Sequence, residues 1–273
     1  MMHAASRQAL RALRQRLDTV TGKAGSDALV ELAGELTAVA ELLTGQPRLR
    51  RVVADPSTEP ERRADLVARL LDGKIGANSL QVAREAVALR WSTPWDLVDA
   101  LELTSADVLL AAAENDGVLD RVEDELFRFE RILDSQSDLS ALLDEAAVPA
   151  SRRIELLDAV VASKVHPITR ELLEHAVASR RRRALSFALG DLLDAAANRR
   201  ERSIAKVVSA VELSADQQNR LAETLSELYH RSISVRIAVE PAVRGGLIVR
   251  IGDEVIDGSV AARLSQVRRA LAS

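Results

Sequence analysis

The chain has 273 residues, long enough for two or three domains with cores of their own. Its apolar share of 47% is mostly Ala, Leu and Val, with six aromatics, which argues against disorder and favours helices. A net charge of −4 lacks the footprint of a general nucleic-acid binder, absent cysteine excludes disulfide and thiolate chemistry, and no apolar run nears the roughly 18 residues of a membrane helix.

The first residues, MMHAASRQALRALRQR, carry cations with no apolar segment behind them and do not read as a secretory signal. The expectation is a soluble, intracellular chain that reaches a membrane only through a partner. A short helix is expected over residues 6–17. Leu29, Leu32, Leu36, Val39 and Leu43 then step by three and four, the stripe of an amphipathic helix. Pro56 and Pro60 mark a break, a helix follows around Leu66, and another ends near Arg90.

This order then recurs about 90 residues later without a gap. The stripe falls on Leu119, Val122, Leu126, Phe129 and Leu133. Arg62 and Arg63 match Arg152 and Arg153, Lys74 matches Lys164, and Ala86-Val87-Ala88 matches Ala176-Val177-Ala178. The second copy is expected to open with a short helix over 106–114, N-capped by Ser105, and to break at Pro149. Two copies are too few for a solenoid. They read as two helical bundles, residues 1–103 and 104–200.

Beyond Asn198 the pattern changes. Residues 204–211 cluster β-branched side chains, Ser214 can cap a helix over 215–230, and Ile233, Val235, Ile237 and Val239 alternate as a strand. A second strand over 247–251 and a closing helix over 260–271 complete a β-α-β-β-α unit, residues 201–273. The fold class expected is mainly α: two tandem bundles followed by this small α+β domain.

The run GGLIVRIGDEVIDGS spans 245–259. Gly245 and Gly246 permit the tight backbone of a turn after Pro241, Gly252-Asp253 and Asp257-Gly258 are further turn signals, and Ser259 can cap the last helix. A phosphate loop fails, since no GxxxxGK[ST] occurs and the glycine pair opens a strand. A calcium loop fails for want of alternating carboxylates.

Other chemistry is equally hard to find. His3, His166, His175 and His230 are dispersed, with no metal-ligand spacing. Glu123-Asp124-Glu125 beside the Val122-Leu126-Phe129 stripe reads as a solvated face. Arg180 to Arg183 form a basic cluster near a helix end, read as a solvated or partner-facing patch, since no aromatic platform for bases accompanies it. No catalytic residue, cofactor or metal is expected.

The combination GG-x-I/L-V-R-x-GD-x-V-I-DGS, followed by a short Leu-containing segment, resembles the end of ATP synthase delta subunits, the OSCP family of the peripheral stalk. The likeness extends back through Val235 and Leu228-Tyr229, and the second helical copy resembles that family's N-terminal domain. The added first copy resembles long actinobacterial forms, some fused to a b-type stalk subunit; this chain reads as the unfused version. The resemblance implies a non-catalytic stator subunit at the cytoplasmic face of the cell membrane. It implies a second bundle that grips the N-terminal helix of an α subunit in a groove between its first and fifth helices. Those helices carry Val108, Leu109 and Ala112, and Leu172, Leu173 and Ala176. It implies a C-terminal unit attached to b-type stalk subunits, and no nucleic-acid partner. A helical-repeat scaffold with unrelated partners is the alternative, and it leaves the C-terminal run unexplained.

Overall fold

The computed structural model describes residues 2–22, 24–145, 147–161, 164–179, 184–202, 204–229, 233–240, 243, 245–251 and 254–259. These divide into two compact units, Met1–Ala195 and Ala196–Ser273. The first holds α1 (Ala4–Thr21), α2 (Ser26–Gly45), α3 (Pro47–Val53), α4 (Pro60–Leu71), α5 (Ala77–Ala88), α6 (Pro94–Asn115), α7 (Leu119–Ser135), α8 (Ser137–Asp144), α9 (Ala150–Val161), α10 (Pro167–Ala178) and the start of α11 (Leu185–Arg202).

The sequence period becomes a structural one. α4 and α9 have 12 residues each, as do α5 and α10, and every one of the four starts 90 positions from its counterpart (60 and 150, 77 and 167). The helices form where the apolar stripes predict, and the stripes are the core: Leu29, Leu36, Val122 and Leu126 are 0% exposed. Prolines set the starts. Pro47, Pro60, Pro94 and Pro167 occupy first turns, where a missing N–H breaks no intrahelical bond.

α6 departs from expectation. It begins at Pro94 and runs 22 residues unbroken, so the expected short helix over 106–114 is only its second half. Its start is a capping box: the Asp96 N–H donates to Thr93 Oγ1 and the Thr93 N–H donates to the Asp96 carboxylate, each at 3.2 Å. Ser105 caps nothing. It lies buried in mid-helix, and its hydroxyl donates to the Ala33 carbonyl of α2 at 2.8 Å. The line between residues 103 and 104 therefore falls inside a helix.

By position α6 closes the first repeat and opens the second. Ser6 and Asp96 are 90 residues apart, and the Ser6 hydroxyl donates to the Asp96 carboxylate at 2.7 Å, tying α1 to the start of α6. Arg14 of α1 pairs with Asp107 at 2.7 Å. α2 runs antiparallel along α6: Ser26 donates to Asp116 near one end, while Thr37 and Ser105 meet at 2.9 Å further along. Covered by several neighbours, α6 has little need of a polar face. From Thr104 to Glu114 only Asp107 escapes burial.

The second unit contains β1 (Ile204–Ser209), α12 (Ala215–Tyr229), β2 (Ser234–Val239), β3 (Leu247–Ile251) and β4 (Glu254–Asp257), with the strands in one sheet of order β2-β1-β3-β4. β1 and β2 are parallel, joined through α12, whereas β3 is antiparallel to both β1 and β4. Ser214 caps α12 as expected, with Gln217 returning a bond to the Ser214 N–H at 2.9 Å. One sheet face packs beneath α12 as a core of Ala205, Val207, Leu225, Ile233, Val249 and Ile251. β4 adds a strand to the expected order; four residues between turn signals are too few to show alternation. The expected turn at Gly252-Asp253 and closing helix over 260–271 lie outside the described residues, as do Arg180 to Arg183 and His230.

Candidate partner-binding site

The signature run folds back on itself. Gly245 and Gly246 have φ of 72° and 83°, a region that side chains beyond glycine rarely adopt. A Cβ on Gly246 would stand 2.3 Å from the Gly258 carbonyl and 2.9 Å from the Ser259 Cα. The Gly258 N–H donates to the Leu247 carbonyl at 2.9 Å, and the Ser259 N–H to Asp257 Oδ1 at 2.9 Å. Hydrogen bonding from Ser259 holds the Asp257 carboxyl below its ordinary pKa. The run thus brings Gly245, Gly246, Asp257, Gly258 and Ser259 into one corner of the sheet, while Gly252 and Asp253 fall outside the described residues.

On the helical unit, Val108, Leu109 and Ala112 of α6 and Leu172, Leu173 and Ala176 of α10 are all buried, the most exposed being Ala176 at 9%. They are core side chains of two helices that contact each other, α6 and α10. α2 reaches this seam: Thr37 Oγ1 lies 2.9 Å from the Ser105 hydroxyl of α6 and 3.4 Å from His175 Nδ1 of α10. Burial lowers the His175 pKa to about 4, so the ring is neutral at neutral pH and His175 is a packing and hydrogen-bonding residue. Burial, then the neighbouring Glu174, raises the Glu171 pKa one turn earlier.

Sequence reading missed the polar residues that anchor the fifth helix of each repeat. Glu125 accepts from the His166 N–H at 2.7 Å and the Thr169 hydroxyl at 2.6 Å, both in the first turn region of α10. It is 7% exposed, not part of a solvated face. Position 125 lies three residues after Val122 and four before Phe129, so it shares their buried side. Burial opposes its charge, but the bonds from Thr169, His166 and Arg121 outweigh that and leave the pKa below the ordinary glutamate value. At the other end of the helix, Arg153 donates to the Val177 carbonyl at 2.8 Å, as Arg63 donates to the Leu89 and Ala88 carbonyls in the first repeat. The pairing of Arg63 with Arg153 in the sequence was the available signal.

Buried helices whose ends are held by polar side chains, repeated in tandem, and a small mixed sheet define a mainly helical protein with an α+β unit; among the described residues no group of His, Asp and Glu is arranged to hold a metal. The model for the ATP synthase delta (OSCP) subunit matches residues 104–271. An ATP synthase subunit delta of Streptomyces griseus is 43% identical over 271 residues, covering 99% of this chain and 100% of the relative. Those of a Parafrankia species and of Salinispora tropica are 44% and 40% identical, covering 99% or more of this chain and 99% of each relative. The chain belongs to the ATP synthase delta (OSCP) subunit family, as a long actinobacterial-type form and a non-catalytic subunit. The relatives match end to end, so the added first repeat is theirs as well. No described helix is long and apolar enough to cross a membrane, consistent with a peripheral place in a membrane-associated ATP synthase.

Proposed function

We propose that the chain is the stator link of its ATP synthase, joining the catalytic α/β head to b-type stalk subunits at the cytoplasmic face of the membrane. Rotation of the central shaft drives synthesis only if the head is held still, so the link must be stiff and slow to dissociate. The observation that supports this best is α6: one 22-residue helix serves both repeats, so the helical unit has no flexible joint at the middle of its sequence.

On this reading an amphipathic N-terminal helix of an α subunit docks on the helical unit at the α6–α10 seam, by helix-in-groove recognition. Val108, Leu109, Ala112, Leu172, Leu173 and Ala176 build the packed floor of that platform. The C-terminal unit takes the b-type stalk chain. The first repeat braces a second stalk chain, since one head has one apex for this cap. Crosslinks that place residues 1–93 against α subunits alone would contradict the brace.

The test is depletion and return. Membranes stripped of this subunit should lose proton-coupled ATP synthesis while the detached head still hydrolyses ATP. Adding back the purified chain should restore synthesis. Full synthesis in stripped membranes would sink the reading.

A further inference from the structure

The open face of the sheet carries a row of cations. β1 is paired on both edges, and the register sets Lys206 opposite Arg236 on β2 and opposite Arg250 on β3. Three positive side chains therefore stand side by side across adjacent strands. Alternation puts them on the face away from the Ala205, Val207, Val249 and Ile251 core, and all three are exposed.

Like charges directly opposite one another destabilise a sheet. Among the described residues none of the three has an ion-pair or hydrogen-bond partner. Asp257 shares this face but stands beside Ile248, one row away, with an oxygen bonded to the Ser259 N–H. The C-terminal residues 258–273 contain Arg263, Arg268 and Arg269 and no Asp or Glu.

The surroundings are aliphatic. Val208, Ala238 and Ile248 form the next row of the same face, and Val255 of β4, 52% exposed, extends the cation row beside Arg250. An RNA-binding face would present aromatic platforms for bases, and the row and its neighbours have none. Adjacent strands lie about 4.8 Å apart. A helix crossing them presents residues i, i+3 or i+4, and i+7 at about 5 Å steps, close to the strand spacing.

We propose that this face, centred on Lys206, Arg236 and Arg250, is the docking surface for an amphipathic helix of the stalk partner that bears acidic side chains at i, i+3 or i+4, and i+7 beside an apolar stripe. The assignment rests on the reading of the C-terminal unit as the stalk-binding one. It carries an expectation with two opposite signs. Neutralising the row relieves repulsion and stabilises the free protein, and it weakens the complex.

Calorimetric titration of the full chain with the soluble segment of its own b-type stalk chain tests it. The variant is Lys206→Gln, Arg236→Gln and Arg250→Gln together. We expect wild-type binding that weakens as salt rises, and affinity at least about ten-fold lower in the variant. The variant should melt no lower than wild type and bind an α-subunit N-terminal peptide unchanged. Wild-type affinity for the stalk segment in a folded variant overturns the surface and leaves the stator reading standing. Absence of stalk binding by the wild-type chain overturns the partner assignment and this surface with it. Tight binding of a fluorescent oligouridine RNA, lost in the variant without any effect on the stalk segment, overturns the proposal in favour of nucleic acid.

Discussion

Glu35 and Glu125 stand 90 positions apart and do the same work in the two repeats. Glu35 accepts from the Gly76 N–H at 2.9 Å and the Ser79 hydroxyl at the start of α5. Glu125 accepts from the His166 N–H and the Thr169 hydroxyl, residues 76 and 79 moved on by one repeat. Each carboxylate meets the positive end of a helix dipole and the N–H groups that the helix cannot satisfy itself. Glu125→Ala leaves buried donors unpaired and should lower stability by about 1–3 kcal/mol, read as a shift in urea midpoint at pH 7.

The pH dependence of that contribution has a definite sign. The folded Glu125 pKa is lower than its unfolded value, so its stabilisation is complete above the ordinary glutamate pKa of about 4.3 and fades as pH falls through the lower folded value. The gap in stability between wild type and Glu125→Gln should therefore be largest near pH 7 and narrow below about pH 4. A gap that widens on acidification would refute the assigned charge state.

His175 acts in the same direction over a neighbouring, higher pH range. Its folded pKa of about 4 lies below the unfolded value of about 6.5. The unfolded chain takes up the proton first, so this group lowers stability as pH falls from about 6.5 to 4 and adds nothing further below. The imidazole resonances should not titrate above pH 5, and His175→Gln should flatten the loss of stability over that window. An NMR titration with a midpoint near 6.5 would contradict the burial at the α2–α6–α10 junction.

Gly246 tolerates no side chain. Its φ of 83° and the 2.3 Å that would separate an added Cβ from the Gly258 carbonyl together predict that Gly246→Ala destabilises the C-terminal unit by about 2 kcal/mol or more. Gly245→Ala meets the backbone penalty of a φ of 72° and should lose about 1 kcal/mol or more. Amide exchange should report faster opening of β3 and β4 in both, with α2 and α6 unchanged.

The start of α6 decides where the chain can be cut. A fragment beginning at Thr93 keeps the capping box and the whole helix, whereas one beginning at Thr104 opens in the middle of it. The first should be more helical by circular dichroism and melt higher. Both should melt below the full chain, because each uncovers the α6 surface packed by α2.

The repeat was legible because the apolar stripes, proline breaks and matched arginines recur in one register, and helix boundaries at Pro60 and Pro167 carry local signals. The shared helix was not. α6 is apolar nearly all round and shows no stripe, and Thr93-Pro94-Trp95-Asp96 is a short start signal that competes with Ser105. Burial of Glu125 is a tertiary fact, set by where α10 begins. The same holds for the seam residues. Leu109 and Leu173 are 0% exposed, so an aspartate at either puts a charge in the core and should cost several kcal/mol. In the C-terminal unit Gly245, Gly246, Asp257 and Gly258 were readable one by one as turn residues. That Gly246 and Gly258 turn against each other was visible only in three dimensions.

The central claim is that one chain bridges the head and the stalk. The direct measurement is mass photometry of the isolated head, the soluble b-type segment and this chain, mixed in pairs and all together. A ternary particle should form only when the chain is present. A head–stalk particle of the same abundance without it, or binary complexes that exclude one another, would contradict the claim.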